Sequence, residues 1–367
     1  MSGGEARQWP GQSLAEGAAG IALLHLERGD FDRARALIDR AVSGGVSVAA
    51  NASLFYGAPA LEFVLSAAAA QGLAVPALST VQAATDRIVT ARLEAAADRR
   101  SRGELPNLSE FDLIRGLAGL GGLLLARGPE TPQLADVLSY LVDLTRPIRD
   151  GGEELPGWWV PTGPNGKPTK EFPGGHGNNG MAHGVAGPLA LLALAMRAGV
   201  EVAGHREAIE RVTAWLAVWQ RPYWVTREKI RTRQVSTASA RPSWCYGALG
   251  LARAEQLAAL ALGDRTAAAA AENAAYAALM DPHVRGLTVD DSLCHGWAGL
   301  IATAAAIAED CPEPTFLAEP IAALTDELSA ANAPAKGFLE GSAGTALALH
   351  RVNNAPATGW GRALLID

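Results

Sequence analysis

Hydrophobic and polar positions follow two kinds of helical pattern along this chain. Short runs that are almost entirely apolar, such as 21–25, 189–193 and 300–304, predict buried helices. More charged, amphipathic patterns lie between them and predict helices that cover the buried ones. These amphipathic patterns extend over 31–42, 80–97, 132–144, 205–219, 264–280 and 319–331.

A pair of glycines precedes most of the apolar runs. Six copies of this Gly-x-x-Gly motif begin at Gly17, Gly116, Gly184, Gly247, Gly296 and Gly341, and a weaker Gly-Ala-Pro-Ala copy begins at Gly57. Glycines one turn apart allow two backbones to approach closely. Because the copies are spread over the whole chain and each precedes an apolar run, chance is a poor explanation, and we interpret them as an internal repeat.

The repeat predicts an all-α fold. Seven buried inner helices alternating with about seven outer ones describe an α/α toroid, in which each helical hairpin hides its apolar face only against its neighbours. We therefore expect residues 1–367 to form a single toroid domain. No interval between motifs is long enough for an inserted domain. Where a leader peptide would bind therefore stays open.

Composition and charge restrict the class of protein. Hydrophobic residues make up 49% of the chain and aromatic residues only 6%, which suits close-packed helices. The net charge of -7 opposes binding to nucleic acid. The polar N-terminus is unlike a signal peptide, and no apolar stretch reaches the roughly 18 residues of a membrane span. We expect a cytoplasmic protein without an integral membrane segment.

Three glycine motifs carry unusual residues directly before the helix. His183 precedes Gly184, the pair Cys245 and Tyr246 precedes Gly247, and the pair Cys294 and His295 precedes Gly296. A toroid brings such helix starts together, and three cysteine or histidine ligands with a vacant fourth position are typical of catalytic zinc. We expect that vacancy to face a solvent-filled centre of the ring. Taken singly, each motif could equally serve core packing.

The motifs together resemble those of the lanthionine synthetase C family over nearly the whole chain. The matching segments are Ala-His-Gly at 182–184, Trp-Cys-Tyr-Gly at 244–247, Cys-His-Gly at 294–296 and the repeated glycine pairs. The resemblance implies that Zn²⁺ is bound by Cys245, Cys294 and His295.

The same resemblance implies four catalytic residues. Asp112, in an Asp-x-Ile-x-Gly motif, and His183 match positions implicated in proton transfer, and Arg241 and Tyr246 match two further positions. Ordinary roles remain open for three of them. Asp112 could be a helix-terminal charge, Arg241 a surface charge and Tyr246 a packing residue.

By resemblance the protein is a zinc-dependent lanthipeptide cyclase. Such an enzyme adds peptide cysteine thiolates to dehydroalanine or dehydrobutyrine and closes (methyl)lanthionine thioether rings. The implied substrate is a dehydrated precursor peptide with its leader, and the implied partners are a dehydratase and a transporter, with peripheral association to a membrane-bound complex. Alternatives are addition of glutathione or another small thiol, and a non-catalytic peptide-binding scaffold. A toroidal glycosidase or terpene cyclase would need carboxylate-rich motifs at the helix starts.

Three further segments carry expectations. Six basic residues within 221–241, opposed by one glutamate, could guide an acidic leader peptide or a dehydratase, or could form a solvated loop. The connection 149–181 is rich in glycine and proline and is expected to be functional or disordered. Cys311 is expected to be a surface thiol, and His176 to be structural.

Overall fold

The computed structural model describes residues 10–219, 223–235, 241–329 and 336–367, and within them the chain is mostly helical. Seven of these helices are largely buried and begin at the repeated glycine motifs. They are α1 (Ala18–Glu27), α3 (Ala58–Ala70), α6 (Leu117–Arg127), α8 (Ala186–Arg197), α11 (Ala248–Leu262), α14 (Trp297–Asp310) and α16 (Ser342–Asn353).

A second layer of helices covers the first. It consists of α2 (Phe31–Val42), α4 (Leu78–Ser101), α7 (Pro132–Leu144), α9 (His205–Trp219), α12 (Arg265–Met280) and α15 (Ala318–Ser329). The predicted bounds of α2, α7 and α9 are confirmed at both ends, whereas α4 is longer than predicted. Residue 331, the predicted end of the last outer helix, lies outside the described residues. Shorter helices are α5 (Leu108–Phe111), α10 (Arg227–Thr232) and α13 (Pro282–Arg285).

The inner helices form a closed ring. Each contacts the next one along the chain, and α16 packs back against α1. The predicted all-α toroid is therefore confirmed. In the described ranges the outer layer has six long helices, because the chain after α16 continues into a 3-10 helix, Trp360–Leu364, rather than an outer helix. None of the described helices combines the length and apolarity needed to cross a membrane.

The segment after α16 packs inside the ring. Trp360 and Leu364 are fully buried, and the 3-10 helix packs against α6. On another side of the ring, the carbonyl oxygen of Leu364 accepts a hydrogen bond from Trp244 Nε1 at 3.1 Å. The carbonyl oxygen of Ile366 accepts one from Arg253 Nε, on α11, at 2.9 Å. These contacts place apolar side chains of the segment between inner helices on different sides of the ring.

Two short two-stranded sheets interrupt the helices between α7 and α11. Strand β1 (Ile148–Asp150) pairs with β2 (Glu153–Leu155), and β3 (His176–Asn178) pairs with β4 (Trp224–Thr226), both antiparallel. The glycine-rich connection before α8 is thus ordered near its end, since β3 is buried and bonded to β4. This pairing places β3 directly before the start of α8.

Candidate active site

Five of the seven inner helix starts share one backbone arrangement that depends on the second glycine of the motif. A Cβ atom added at Gly20, Gly119, Gly250, Gly299 or Gly344 would lie 1.9–2.1 Å from the carbonyl oxygen of the residue six positions earlier. No side chain fits so close to an oxygen, and only glycine lets the preceding loop fold onto the first turn of the helix. The repeated motif is therefore a steric requirement of the turn.

Hydrogen bonds link equivalent positions of neighbouring hairpins around the ring. The main-chain N–H of Ala182 donates to the carbonyl oxygen of Cys245 at 3.3 Å, and that of Cys245 to Cys294 at 3.1 Å. The N–H of Cys294 continues the series to Leu339 at 3.0 Å. Each of these residues stands two positions before the first glycine of its motif. Two cysteines that are distant in sequence become neighbours for this reason.

Cys245, Cys294 and His295 form a group suited to a metal ion. Each offers one ligand atom, and these atoms all lie within 4.8 Å of one another. Zinc bonds to sulfur and nitrogen measure about 2.0–2.3 Å, so one ion can reach all three atoms. Cys245 is buried and the other two are partly exposed. The predicted convergence of the three residues is confirmed, and the identity of the metal stays a prediction.

The two thiols of this group influence each other. The hydrogen bond with Cys294 lowers the pKa of the Cys245 thiol to about 5, helped by hydrogen bonds with His295 and Ser243 and opposed by burial. That same bond and burial raise the pKa of Cys294. The bond to Cys245 raises the pKa of His295. A cluster that already favours one thiolate offers the charge that a cation requires.

An aspartate that the sequence interpretation missed orients the histidine ligand. Asp290 Oδ2 lies 2.8 Å from His295 Nε2, and Asp290 Oδ1 accepts the N–H of Ser292 at 2.8 Å. Because Nε2 is engaged, Nδ1 is the ring nitrogen left for a metal ion. The available signal was an acidic residue in the segment just before Cys294-His295.

His183 and Asp112 form a hydrogen-bonded pair. The distance from His183 Nδ1 to Asp112 Oδ2 is 2.7 Å. The Asp112 carboxylate is buried, and its other oxygen accepts the N–H groups of Arg115 and Gly116 at 2.6 and 2.8 Å. Asp112 therefore both stabilises the start of α6 and fixes the imidazole. The side chain of His183 is 36% exposed and so remains accessible to a substrate.

Tyr246 lies beside this pair. Its ring stacks on His183 at a centroid distance of 6.3 Å, and its hydroxyl oxygen accepts a hydrogen bond from Asn178 Nδ2 at 2.9 Å. Gly180 leaves room for the ring, because a Cβ there would lie 2.3 Å from it. Burial raises the pKa of Tyr246 above its usual value, so the phenol stays protonated and can donate. Asn178, on β3, was not predicted from the sequence.

Arg241 belongs to the surroundings of the metal cluster. It is partly buried, and its main-chain carbonyl oxygen accepts a hydrogen bond from the Tyr223 hydroxyl at 3.2 Å. The pKa of Cys294, which its hydrogen bond to Cys245 raises most, is lowered slightly by the Arg241 charge. The guanidinium is thus near enough to act electrostatically on the cluster.

Two other expectations are changed by the structure. Cys311 is buried and not a surface thiol, and burial raises its pKa to about 12. In the basic stretch, Arg227 forms ion pairs with Asp150 and Glu153, and Arg231 pairs with Glu153. The acidic residues of hairpin β1–β2 therefore neutralise part of the positive charge of the basic stretch. Residue 221 lies outside the described residues. His176 is buried, with Nδ1 2.7 Å from the Thr162 carbonyl oxygen, as a structural role predicts.

Comparison with known proteins agrees with this arrangement. The solved structure of nisin cyclase superimposes with a TM-score of 0.81 and 20% sequence identity, over 98% of this chain and 93% of that one. At this identity the likeness establishes the fold alone. No curated protein sequence matches the chain. The family model described as "Lanthionine synthetase C-like protein" matches residues 8–365. The chain therefore belongs to the lanthionine synthetase C-like family.

Proposed function

We propose that this protein is a zinc-dependent lanthipeptide cyclase. It adds peptide cysteine thiolates to dehydroalanine or dehydrobutyrine within the same peptide and closes thioether rings. The observation that carries the proposal is the convergence of Cys245, Cys294 and His295 within 4.8 Å at the end of the ring that also holds the His183–Asp112 pair. A metal cluster and a proton-transfer pair are the two components that this addition needs.

Cys245, Cys294 and His295 would hold the ion and leave a fourth position for the substrate sulfur. A free peptide thiol has a pKa of about 8.5 and is mostly protonated at neutral pH. A bound zinc ion would supply the Lewis acidity that lowers the pKa of such a thiol. The sulfurs of Cys245 and Cys294 would add negative charge to the ion, so that a further sulfur would stay nucleophilic.

His183 is the proposed acid of the reaction. Addition of the thiolate at the β-carbon leaves an enolate that must receive a proton at the α-carbon. Imidazole titrates near neutral pH, and the buried Asp112 carboxylate holds Nδ1, which leaves Nε2 free to transfer the proton. The protonated phenol of Tyr246 and the guanidinium of Arg241 are the donors available to the enolate oxygen.

The test uses zinc-loaded protein and a synthetic peptide with one cysteine and one dehydroalanine. Ring closure removes the free thiol and leaves the peptide mass unchanged, because the addition joins two parts of one molecule. With glutathione present, a mass increase by one glutathione would instead identify the small-thiol activity. If neither the thiol titre nor the mass changes while zinc is bound, the protein is not a cyclase and the scaffold alternative gains support.

The chemistry of the substrate also indicates partners. Dehydro residues arise when serine or threonine loses water, so a dehydratase of the same pathway must supply the precursor peptide with its leader. We propose that the two enzymes act in the cytoplasm, with a transporter downstream and peripheral association to its membrane complex. Co-purification of tagged protein with the dehydratase would test this assembly.

A further inference from the structure

The residue directly before the first glycine occupies an equivalent place in every repeat, at the end of the ring where the inner helices begin. These residues are Glu16, Tyr56, Arg115, His183, Tyr246, His295 and Glu340. The proposed reaction uses those of the fourth, fifth and sixth repeats. The positions in the first three repeats have no assigned role, although they face the same end of the toroid.

A cleft opens at these unassigned positions. One cavity of about 670 Å³ is lined by Ser13, Asn51, Tyr56, Arg92 and Arg115, among others. A second, of about 860 Å³, shares the first three of those residues and continues towards the first repeat. Together they form a groove, which we call the arginine cleft, that extends across the starts of α1, α3 and α6.

The arginine cleft begins next to the His183–Asp112 pair. The main-chain N–H of Arg115 donates to Asp112 Oδ1 at 2.6 Å. Arg92, across the cleft, is close enough to Asp112 for their charges to interact. The end of the cleft that holds Arg115 is therefore adjacent to the proposed reacting centre.

In the described part of the chain, neither cation of the cleft forms a close ion pair with a carboxylate. The Arg92 guanidinium donates to the carbonyl oxygens of Ala50, Ala52 and Ser109 at 2.8–3.2 Å. Among the described residues, no carboxylate forms an ion pair with it or with Arg115, whose side chain is exposed. An arginine that forms no close ion pair can still attract an incoming anion, and its planar fork fits a carboxylate.

Charge at the other positions gives the cleft a direction. In the seventh and first repeats the equivalent residues are Glu340 and Glu16, both exposed. Glu16 lines the cavity at the end of the cleft near the first repeat and repels an acidic ligand there, whereas Arg92 and Arg115 attract it at the end near the third repeat. The protein as a whole carries a charge of -7, so this cleft is a local exception.

We propose that the arginine cleft binds a carboxylate-bearing segment of the peptide substrate while the reacting cysteine lies at the metal cluster. The proposal rests on the proposed function, because it assumes a peptide at that cluster. Binding of this segment in the cleft would fix the direction in which the peptide chain runs away from the metal cluster. It assigns Arg115 as a specificity residue outside the reacting centre.

The experiment measures binding of a labelled, glutamate-rich peptide to the full chain by fluorescence anisotropy. The same peptide with glutamine at those positions serves as the neutral probe. We expect the glutamate peptide to bind more tightly and to lose affinity as salt increases. Arg115→Glu should weaken its binding about threefold to tenfold, since one ion pair is replaced by repulsion. Arg206→Glu, the same charge change at an exposed site on α9, should leave binding unchanged.

Equal binding of the two peptides, or equal effects of Arg115→Glu and Arg206→Glu, would overturn the proposal. Arg115→Gln repeats the test without charge reversal, and circular dichroism shows whether each variant is folded. The assay needs neither zinc nor a dehydro residue. A negative result here with intact ring closure of a neutral peptide therefore rejects only the cleft, whereas absent ring closure with selective binding rejects only the cyclase.

Discussion

At the scale of single residues, the candidate metal cluster is held in place by side chains outside the three proposed ligands. Asp290 holds Nε2 of His295, and the Ser292 hydroxyl accepts the His295 N–H at 3.2 Å. These contacts restrict both the ring and the main chain of one ligand. Partners of this kind set the orientation and basicity of a metal-bound imidazole.

We expect Asp290→Asn to lower zinc affinity about tenfold while leaving the fold intact, because the loss of such a partner typically costs about 10–100-fold. Competition with a chromophoric chelator measures this affinity. Asp291→Asn is the matched control, since no hydrogen bond or ion pair between Asp291 and His295 is found in the described residues. Equal affinities of the two variants would contradict the orienting role of Asp290.

A second prediction separates metal binding from proton transfer. Cys294→Ala should lose zinc, because only two of the three ligand atoms remain. His183→Ala should retain zinc and slow ring closure by about 10²–10⁴, the usual contribution of a general acid. Metal analysis and the thiol-consumption assay measure the two effects.

The matched control for the cysteine is Cys311→Ala, which removes a buried thiol that does not belong to the three-residue cluster and should keep the metal. Full zinc content in Cys294→Ala would refute the assignment of that ligand. A His183→Ala protein without zinc would show that this histidine acts on the metal and not on the substrate.

At the scale of the helical hairpin, the close packing at the start of an inner helix fixes the position of a candidate ligand. A Cβ atom at Gly250 would lie 2.0 Å from the carbonyl oxygen of Trp244. Trp244 is the residue directly before Cys245. The loop that carries the ligand therefore has its place only while this position lacks a side chain. The same holds for Gly299 and the Leu293 oxygen, one residue before Cys294.

Gly250→Ala should destabilise the protein by about 1–3 kcal/mol, as overpacking does, and should weaken zinc binding by displacing Cys245. Chemical denaturation and chelator competition measure the two quantities. Gly286→Ala is the control, because its nearest atom, the Pro282 carbonyl oxygen, would be 3.2 Å away and its φ is -61°. Unchanged stability of Gly250→Ala would mean that the loop tolerates movement away from α11.

At the scale of the whole molecule, the ring is completed from within by its last residues. The carbonyl oxygen of Leu364 accepts the Trp244 ring N–H, and Trp244 precedes the ligand Cys245. Arg351, at the end of α16, is buried and forms an ion pair with Asp367 at 2.6 Å. The C-terminal segment thus connects the residue before Cys245 with the end of α16.

Leu364→Ala should lower the free energy of unfolding by about 2–5 kcal/mol, the usual cost of a cavity at a fully buried leucine. Val289→Ala, at a side chain that is 75% exposed, should change it by less than about 0.5 kcal/mol. Urea denaturation of both variants checks this comparison. Similar small effects would show that the segment does not pack inside the ring.

Much of the fold could be predicted from local patterns. The hydrophobic periodicity predicted the observed bounds of α2, α7 and α9. A helix that buries one face carries apolar residues at helical spacing, and this spacing is visible in the sequence. The glycine pairs located the helix starts, because a contact under about 2 Å excludes every other residue at that point of the turn. Placing Cys245 and Cys294 at the same position of successive repeats then implied that they meet.

Contacts between segments without a shared pattern were decided only by the tertiary structure. Asp290 and Asn178 have no motif, and their roles follow from the atoms that the fold brings to His295 and Tyr246. Cys311 is buried, and the segment 360–366 lies inside the ring, because distant helices cover them. Hydrophobic periodicity and steric exclusion act between residues close in sequence, whereas burial and charge pairing depend on which remote surfaces come together.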